Sequence, residues 1–278
     1  SAADGEPVLA LRDSLLLSQR SSTIARQMGM IERELMAGID WSELSEPSWD
    51  QHTVRQEQWQ LEYQDYVMFR IRQTMNDEPS EGQKDALRQT IHGRGIHMLI
   101  ARFNRTCAWV ASHIVRSNNI QERVAIVNKF IRIAWHCYRQ GNMESLCQIM
   151  FGLQSPWIAR LQQTWEQVSL WELRAFEALR RFTSPREQFA FLRYSMREAI
   201  ETNIPSRRFS PLTTSSSPYV PFFGQFVSDL SAIDSLASFV DASGMPNTMP
   251  LYDDQELSLS WDALVNVYRL RIKSHIVR

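Results

Sequence analysis

The sequence predicts an all-α domain, and three observations carry that prediction: apolar residues recur at three- and four-residue spacing, helix-start signals punctuate the chain, and sustained strand alternation is missing. From Ile120, residues Val124, Val127, Ile131, Ala134 and Tyr138 fall on one helical face, which Phe130 and Trp135 widen. Upstream, Phe103, Cys107, Val110, Ala111 and Ile114 repeat the spacing, and Ser117-Asn118-Asn119 breaks it with turn formers. Two helices are expected to meet there.

Ser169 with Glu172, and Ser184 with Glu187, have capping-box spacing, the second with Pro185 at the first helical position. Helices of roughly 12–17 residues are expected from both starts. Two stretches interrupt the pattern and read as loops or insertions. Residues 73–95 carry Asn76-Asp77-Glu78-Pro79-Ser80 and Gly93-Arg94-Gly95, and residues 202–219 are rich in Pro, Ser and Thr. No fixed-period repeat points to a solenoid.

Composition narrows the functional classes. With 44% hydrophobic residues, nine Trp and thirteen Phe, the chain is globular rather than disordered. Thirty basic residues against 31 acidic ones leave a net charge of -1, so no global field recruits nucleic acid or anionic lipid. No run of 18 apolar residues marks a transmembrane helix. Cys107, Cys137 and Cys147 sit in apolar helical patterns without a CxxC pair, which fits a reducing, cytoplasmic setting. The opening Ser-Ala-Ala-Asp, without an initiator Met, reads as the start of a domain cut from a larger multidomain protein.

The motifs of covalent chemistry are missing: no phosphate-binding GxxxxGK[ST] loop, no GxSxG elbow, no HExxH pair and no dinucleotide turn. The six His are scattered, and no metal site is expected. Glu32 and Glu34 are two apart on a helix and point to different faces, which argues against acid–base cooperation. Binding, scaffolding or conformational catalysis remain, beside a helical enzyme with an unrecognised site.

Four ordered blocks carry a family resemblance. The first is Thr23-Ile-Ala-Arg-Gln-Met-Gly-Met-Ile-Glu-Arg-Glu-Leu-Met-Ala-Gly-Ile, followed by Glu43-Leu44 and Trp49. The second runs from Arg102-Phe103-Asn104 through Trp109-Val110 to Lys129-Phe130-Ile131-Arg132-Ile133-Ala134. The third is Gly141-Asn142-Met143-Glu144-Ser145, leading into Ile158-Ala159-Arg160-Leu161-Gln162-Gln163-Thr164-Trp165. The fourth is Val220-Pro221-Phe222-Phe223-Gly224-Gln225-Phe226-Val227-Ser228-Asp229-Leu230. Together they resemble the catalytic domain of the Ras-type guanine-nucleotide exchange factors.

The resemblance implies one large helical domain over residues 21–278, after an N-terminal flank at 1–20, with insertions at about 50–100 and 202–219 and a protruding helical hairpin. It implies binding to a Ras-like small GTPase of Ras, Rap or Ral type, whose first switch the hairpin displaces so that GDP leaves and GTP loads. The domain would then need no cofactor of its own, because GDP, GTP and magnesium belong to the GTPase. A cytoplasmic protein recruited to the membrane where its GTPase is anchored is expected. Matching positions assign GTPase contact to Arg26, Gln27, Asn104 and Phe222, and hairpin contact near the nucleotide site to Ser231, Asp234 and Ser235. Asn142, Arg160, Leu161 and Trp165 match scaffold positions. Competing readings make Arg26 a solvated helix residue, Phe222 pure core and Asn104 a helix cap.

Departures from the family pattern concentrate at the hairpin. Ser231 and Ser235 replace bulkier or acidic residues found in some members, and Asp234 stands one position early for the acidic function. Elsewhere Gly29 replaces a common Thr, and Gly141 replaces the first Asn of a pair. An exchange-inactive member of the family, kept as a binding or scaffold module, is therefore the second reading.

Overall fold

The computed structural model describes residues 16–40, 43–44, 64, 67, 95–202, 219–236, 239–240 and 264–277. Among them the chain forms two compact units, one drawn from Ser1–Asp40 and His52–Phe222, the other from Trp41–Gln51 and Phe223–Arg278.

The first unit is built around a helix with almost no polar face. In α4 (Met143–Leu153) every residue except Phe151 is buried, including Glu144, Ser145 and Gln148. A helix apolar nearly all round must be enclosed by others, and α4 is enclosed by α1 (Ser21–Ala37), α2 (Gly95–Arg116) and α3 (Ile120–Arg139). These three are amphipathic, so each has only one face to hide. α1 and α2 each pack on α3, and α2 also packs along α4. Gly152 permits that last approach: a Cβ there would lie 2.8 Å from Val110 Cβ and 2.9 Å from the Cys107 carbonyl oxygen.

The expected turn between α2 and α3 is present. α2 ends at Arg116, and Asn119 caps α3, its side-chain oxygen accepting from Gln121 N at 2.8 Å. Ser117 Oγ donates to Glu122 at 3.0 Å and to the Asn119 carbonyl at 3.1 Å, bracing the turn. α2 starts earlier than its apolar spacing from Phe103 predicts. Residues 95–102 continue the helix, so the first insertion stops short of Gly95. The remainder of both insertions, apart from Gln64, Val67 and residues at their margins, lies outside the described residues, as do Trp49, His92 and Gly93-Arg94.

After the short helices α5 (Pro156–Ala159) and α6 (Gln162–Trp165), α7 (Leu170–Phe182) packs on α3. Ser169 occupies its N-cap as predicted, but the capping box does not form. Glu172 instead turns to α3, where its Oε1 accepts from Arg132 Nε at 2.6 Å. The second capping box is corrected more strongly. Ser184, Pro185 and Glu187 open a 3-10 turn (Arg186–Gln188), and α8 begins only at Ala190 and runs to Thr202. Glu187, Gln188 and Phe189 are left-handed, with φ of 51°, 55° and 60°. Such backbone costs roughly 1–2 kcal/mol per residue. The turn carries Phe189 to the core, with ring centroids 5.3 Å from Phe222 and 6.5 Å from Phe151, and burial of that ring offsets the strain.

In the second unit the chain runs out along α9 (Phe223–Asp234) and returns along α10 (Val267–Val277), and the two helices pack together. A two-residue antiparallel ladder, Phe239 with Val265 and Val240 with Leu264, joins the segments between them. Arg269 Nε donates to the Ile233 carbonyl at 3.3 Å, tying the helices to each other. α10 starts after Trp261, which lies outside the described residues. The fold class is all-α.

Candidate functional site

A buried carboxylate organises the first unit. Glu32 is 0% exposed on the inner face of α1. Its Oε1 accepts from Arg102 Nε of α2 at 2.5 Å, from Gln148 Nε2 of α4 at 3.1 Å and from Ser145 Oγ of α4 at 3.2 Å. A buried charge is tolerated only when paired and hydrogen-bonded, so these four groups must hold one geometry together. The centre thereby sets the register of α1 against α2 and α4.

Asn142 extends the network. Its Oδ1 caps α4 by accepting from Ser145 N at 3.0 Å, and its Nδ2 donates to Ser145 Oγ at 2.9 Å. Its backbone stands in a one-residue parallel bridge to Val220: Met143 N donates to the Val220 carbonyl and Val220 N to the Gly141 carbonyl, both at 2.8 Å. The chain can make this corner because Gly141 has φ +72°. Glycine takes that conformation without penalty, and Asn is the next most tolerant residue there. At Gly29, a Cβ would stand 3.3 Å from Asn142 Nδ2. A threonine there would press on the asparagine, which links the departure at position 29 to this corner.

The outer face of α1 carries the exposed side chains. Arg26 and Gln27 are adjacent, Met30 follows about one helical turn later, and all three are exposed, Met30 by 51%. The predicted contacts Arg26 and Gln27 therefore share one strip, directly behind the inner face fixed by Glu32. Met30 belongs to the same strip and sequence reading missed it. Its signal was present in the first block, as a methionine outside the apolar spacing of Ile24, Met28 and Leu35.

Asn104 is exposed on α2, ten residues into that helix, so the helix-cap reading fails. It stands on a different helix from Arg26 and Gln27. Phe222 is 5% exposed, with ring centroids 5.3 Å from Phe189, 5.9 Å from Phe103 and 6.1 Å from Phe151. Its location is the aromatic core.

The scaffold positions are spread along α5 and α6. Trp165 Nε1 donates to the Ile158 carbonyl at 3.0 Å while its ring packs 4.7 Å from that of Phe176. Leu161 is half-buried between the two short helices. Arg160 is exposed and lies 5.2 Å from the ring centre of Trp157. In the second unit, Ser231 is half-buried on α9, and Ser235 is exposed just past its end, its hydroxyl donating to the Ala232 carbonyl at 2.6 Å. Asp234 closes α9, and its side chain lies outside the described residues.

Of the three thiols, Cys137 and Cys147 are buried among these elements and Cys107 is half-buried. Burial, and then the Glu144 carboxylate, push Cys107 up to about 12. Cys147 is raised well above its ordinary value by burial and then by Glu144, and Cys137 is raised by burial and then by Glu32. Groups with such values stay protonated and inert near neutral pH. Among the described residues no group of three or more His, Cys, Asp and Glu could hold a metal ion, and no helix is long and apolar enough to cross a membrane.

The first unit is thus a helical domain with a polar centre turned inward behind a strip of exposed Arg, Gln and Met. The model of the RasGEF domain family matches residues 23–271, and the chain belongs to that family. Relatives include the guanine nucleotide exchange factor LTE1 of Kluyveromyces lactis, 26% identical over 78% of this chain and 13% of its own length. Ras guanine nucleotide exchange factor C of Dictyostelium discoideum is 31% identical over 48% of this chain and 8% of its own length. Human Rap guanine nucleotide exchange factor 5 is 36% identical over 34% and 16% respectively. The chain thus spans less than a fifth of the length of each of these relatives.

Proposed function

We propose that this domain is a guanine-nucleotide exchange factor that binds a Ras-like small GTPase and speeds release of its GDP, acting as a conformational catalyst without covalent chemistry. The observation that carries the reading is the Arg26–Gln27–Met30 strip on a helix whose opposite face is locked by Glu32, within a chain of the RasGEF family. Arginine and methionine are enriched at protein interfaces, and a rigid backing reduces the entropy lost on docking. Exchange requires the domain to favour the nucleotide-free GTPase over the nucleotide-bound one. That demands a broad protein interface, on the order of 2,000 Å² in signalling assemblies that remodel a partner.

Asn104 is assigned to the docking face on α2, and Phe222 supports docking from the core, at the point where the chain enters α9. Ser231, Asp234 and Ser235 on and after α9 are assigned to the hairpin side of the first switch. The relatives' names favour a GTPase of Ras or Rap type, with Ral type retained in the panel, and the working place of the protein is the cytoplasm beside the membrane that anchors the GTPase. Release of a fluorescent GDP analogue from Ras, Rap and Ral-type GTPases tests the reading. Acceleration on at least one supports it, and a flat response across the panel defeats it. The two hydroxyl side chains at Ser231 and Ser235, which depart from the bulkier or acidic residues of the family pattern in some members, favour a second reading as an exchange-inactive binding module. Stable capture of a GTPase without nucleotide release would select it.

A further inference from the structure

A second surface of the first unit has the chemistry of an anion-binding cleft. Between the end of α7 and the start of α8 lies a cavity of about 590 Å³, lined also by Gln154, which follows α4. Its charged lining is Arg180, Arg181 and Arg186 against Glu187 alone, in a chain whose net charge is -1. Arg180 is engaged by Glu177 at 2.8 Å. Arg181 and Arg186 are exposed and make no ion pair with any described residue. Both positively charged forks thus remain available to one ligand.

The cleft also has an apolar shelf. Phe191 is 61% exposed at the first turn of α8, and Pro185 is exposed beside it. The left-handed run at 187–189 explains the pairing: it sends Phe189 to the core and leaves Phe191 on the outside, next to the arginines. Part of the arginine content has a local role, since Arg180 and Arg181 lie in the last turn of α7, where cations suit the helix dipole. Arg186 lies outside any α-helix, so the dipole does not account for it. The aromatic ring beside it is equally unexplained by packing.

We propose that this cleft docks an extended acidic peptide segment, with carboxylates on Arg181 and Arg186 and an apolar side chain on Phe191 and Pro185. Charge complementarity selects the occupant: arginine forks match carboxylates in paired geometry, and clustered arginines are a recurrent means of reading acidic motifs. A flat anionic membrane fits less well, because the charges line a concavity and Glu187 stands among them. The proposal is independent of the exchange reading, since it uses none of the residues assigned to the GTPase.

The test is fluorescence anisotropy with a labelled peptide of Asp and Glu around a central Phe, beside its Asn and Gln counterpart and phosphatidylserine vesicles. Saturable binding of the acidic peptide alone, weakened roughly tenfold or more by Arg181→Glu with Arg186→Glu, is the expected result. Phe191→Ser should weaken it further, and added salt should reduce it. Equal binding of the neutral peptide, indifference to the arginine changes, or binding of vesicles in place of peptide each overturns the proposal. Circular dichroism checks that the doubly reversed variant is folded, and Arg186→Gln alone gives the same contrast should it not be.

Discussion

Arg102 Nε lies 2.5 Å from Glu32 Oε1, a buried ion pair that joins two helices across 70 residues of sequence. Removing one partner leaves the other charge buried without compensation. Arg102→Ala and Glu32→Ala are each expected to cost about 3–5 kcal/mol of stability. Urea denaturation of both variants and of the double variant checks this, with the double variant closer to either single one than to their sum.

Asn142 should resist even a close replacement. Asn142→Ala removes the α4 cap and is expected to cost about 1–2 kcal/mol. Asn142→Asp keeps a capping oxygen but places a carboxylate beside Ser145, within the network of Glu32. It is expected to be no better than alanine, whereas Asn119→Asp, at the exposed cap of α3, should be nearly neutral. Thermal melts of the three variants separate a cap in isolation from a cap inside a network.

At Gly141 the left-handed backbone decides the ranking. Gly141→Asn is expected to lose about 1 kcal/mol or less, and Gly141→Val clearly more, because a β-branched side chain is the least tolerated there. The same melts read the difference.

The strip on α1 separates function from folding. Arg26→Glu and Met30→Asp are expected to slow GDP release from the responsive GTPase by roughly tenfold, with melting temperature nearly unchanged because both side chains are exposed. An equal loss of folding would return these residues to a structural role.

Alkaline pH should loosen the core. Cys107, with an ordinary value of 9.0, titrates in the folded state at about 12, and Tyr219, ordinarily 10.0, also at about 12, mainly through burial. The folded state therefore binds more protons than the unfolded chain in this range. The stability contributed is full below about pH 9 and is lost as pH rises toward about 12. Denaturation midpoints between pH 8 and 11 should fall accordingly. Iodoacetamide at pH 8 should leave the three thiols largely unmodified until denaturant is added.

Helix positions were legible because a helix writes itself locally. The spacing from Ile120 and the Ser-Asn-Asn turn located α2 and α3, and the ordered blocks located the family. Capping boxes were less dependable. Ser169 marked the right boundary, yet Glu172 left for Arg132. At Ser184 the same signal gave way to a left-handed turn, because burying Phe189 outweighed local helix chemistry.

By itself the sequence determined the all-α class and the RasGEF family membership, both of which follow from near-neighbour spacing and motif order. Only the tertiary structure decided that Glu32, which two-residue spacing had set aside, is the buried hub of the first unit, that Phe222 belongs to its aromatic core, and that Met30 completes the strip on α1. The physical reason is range. Helical periodicity is fixed within a few residues, whereas the partners of Glu32 lie 70 to 116 residues away, and their approach is set by packing around α4.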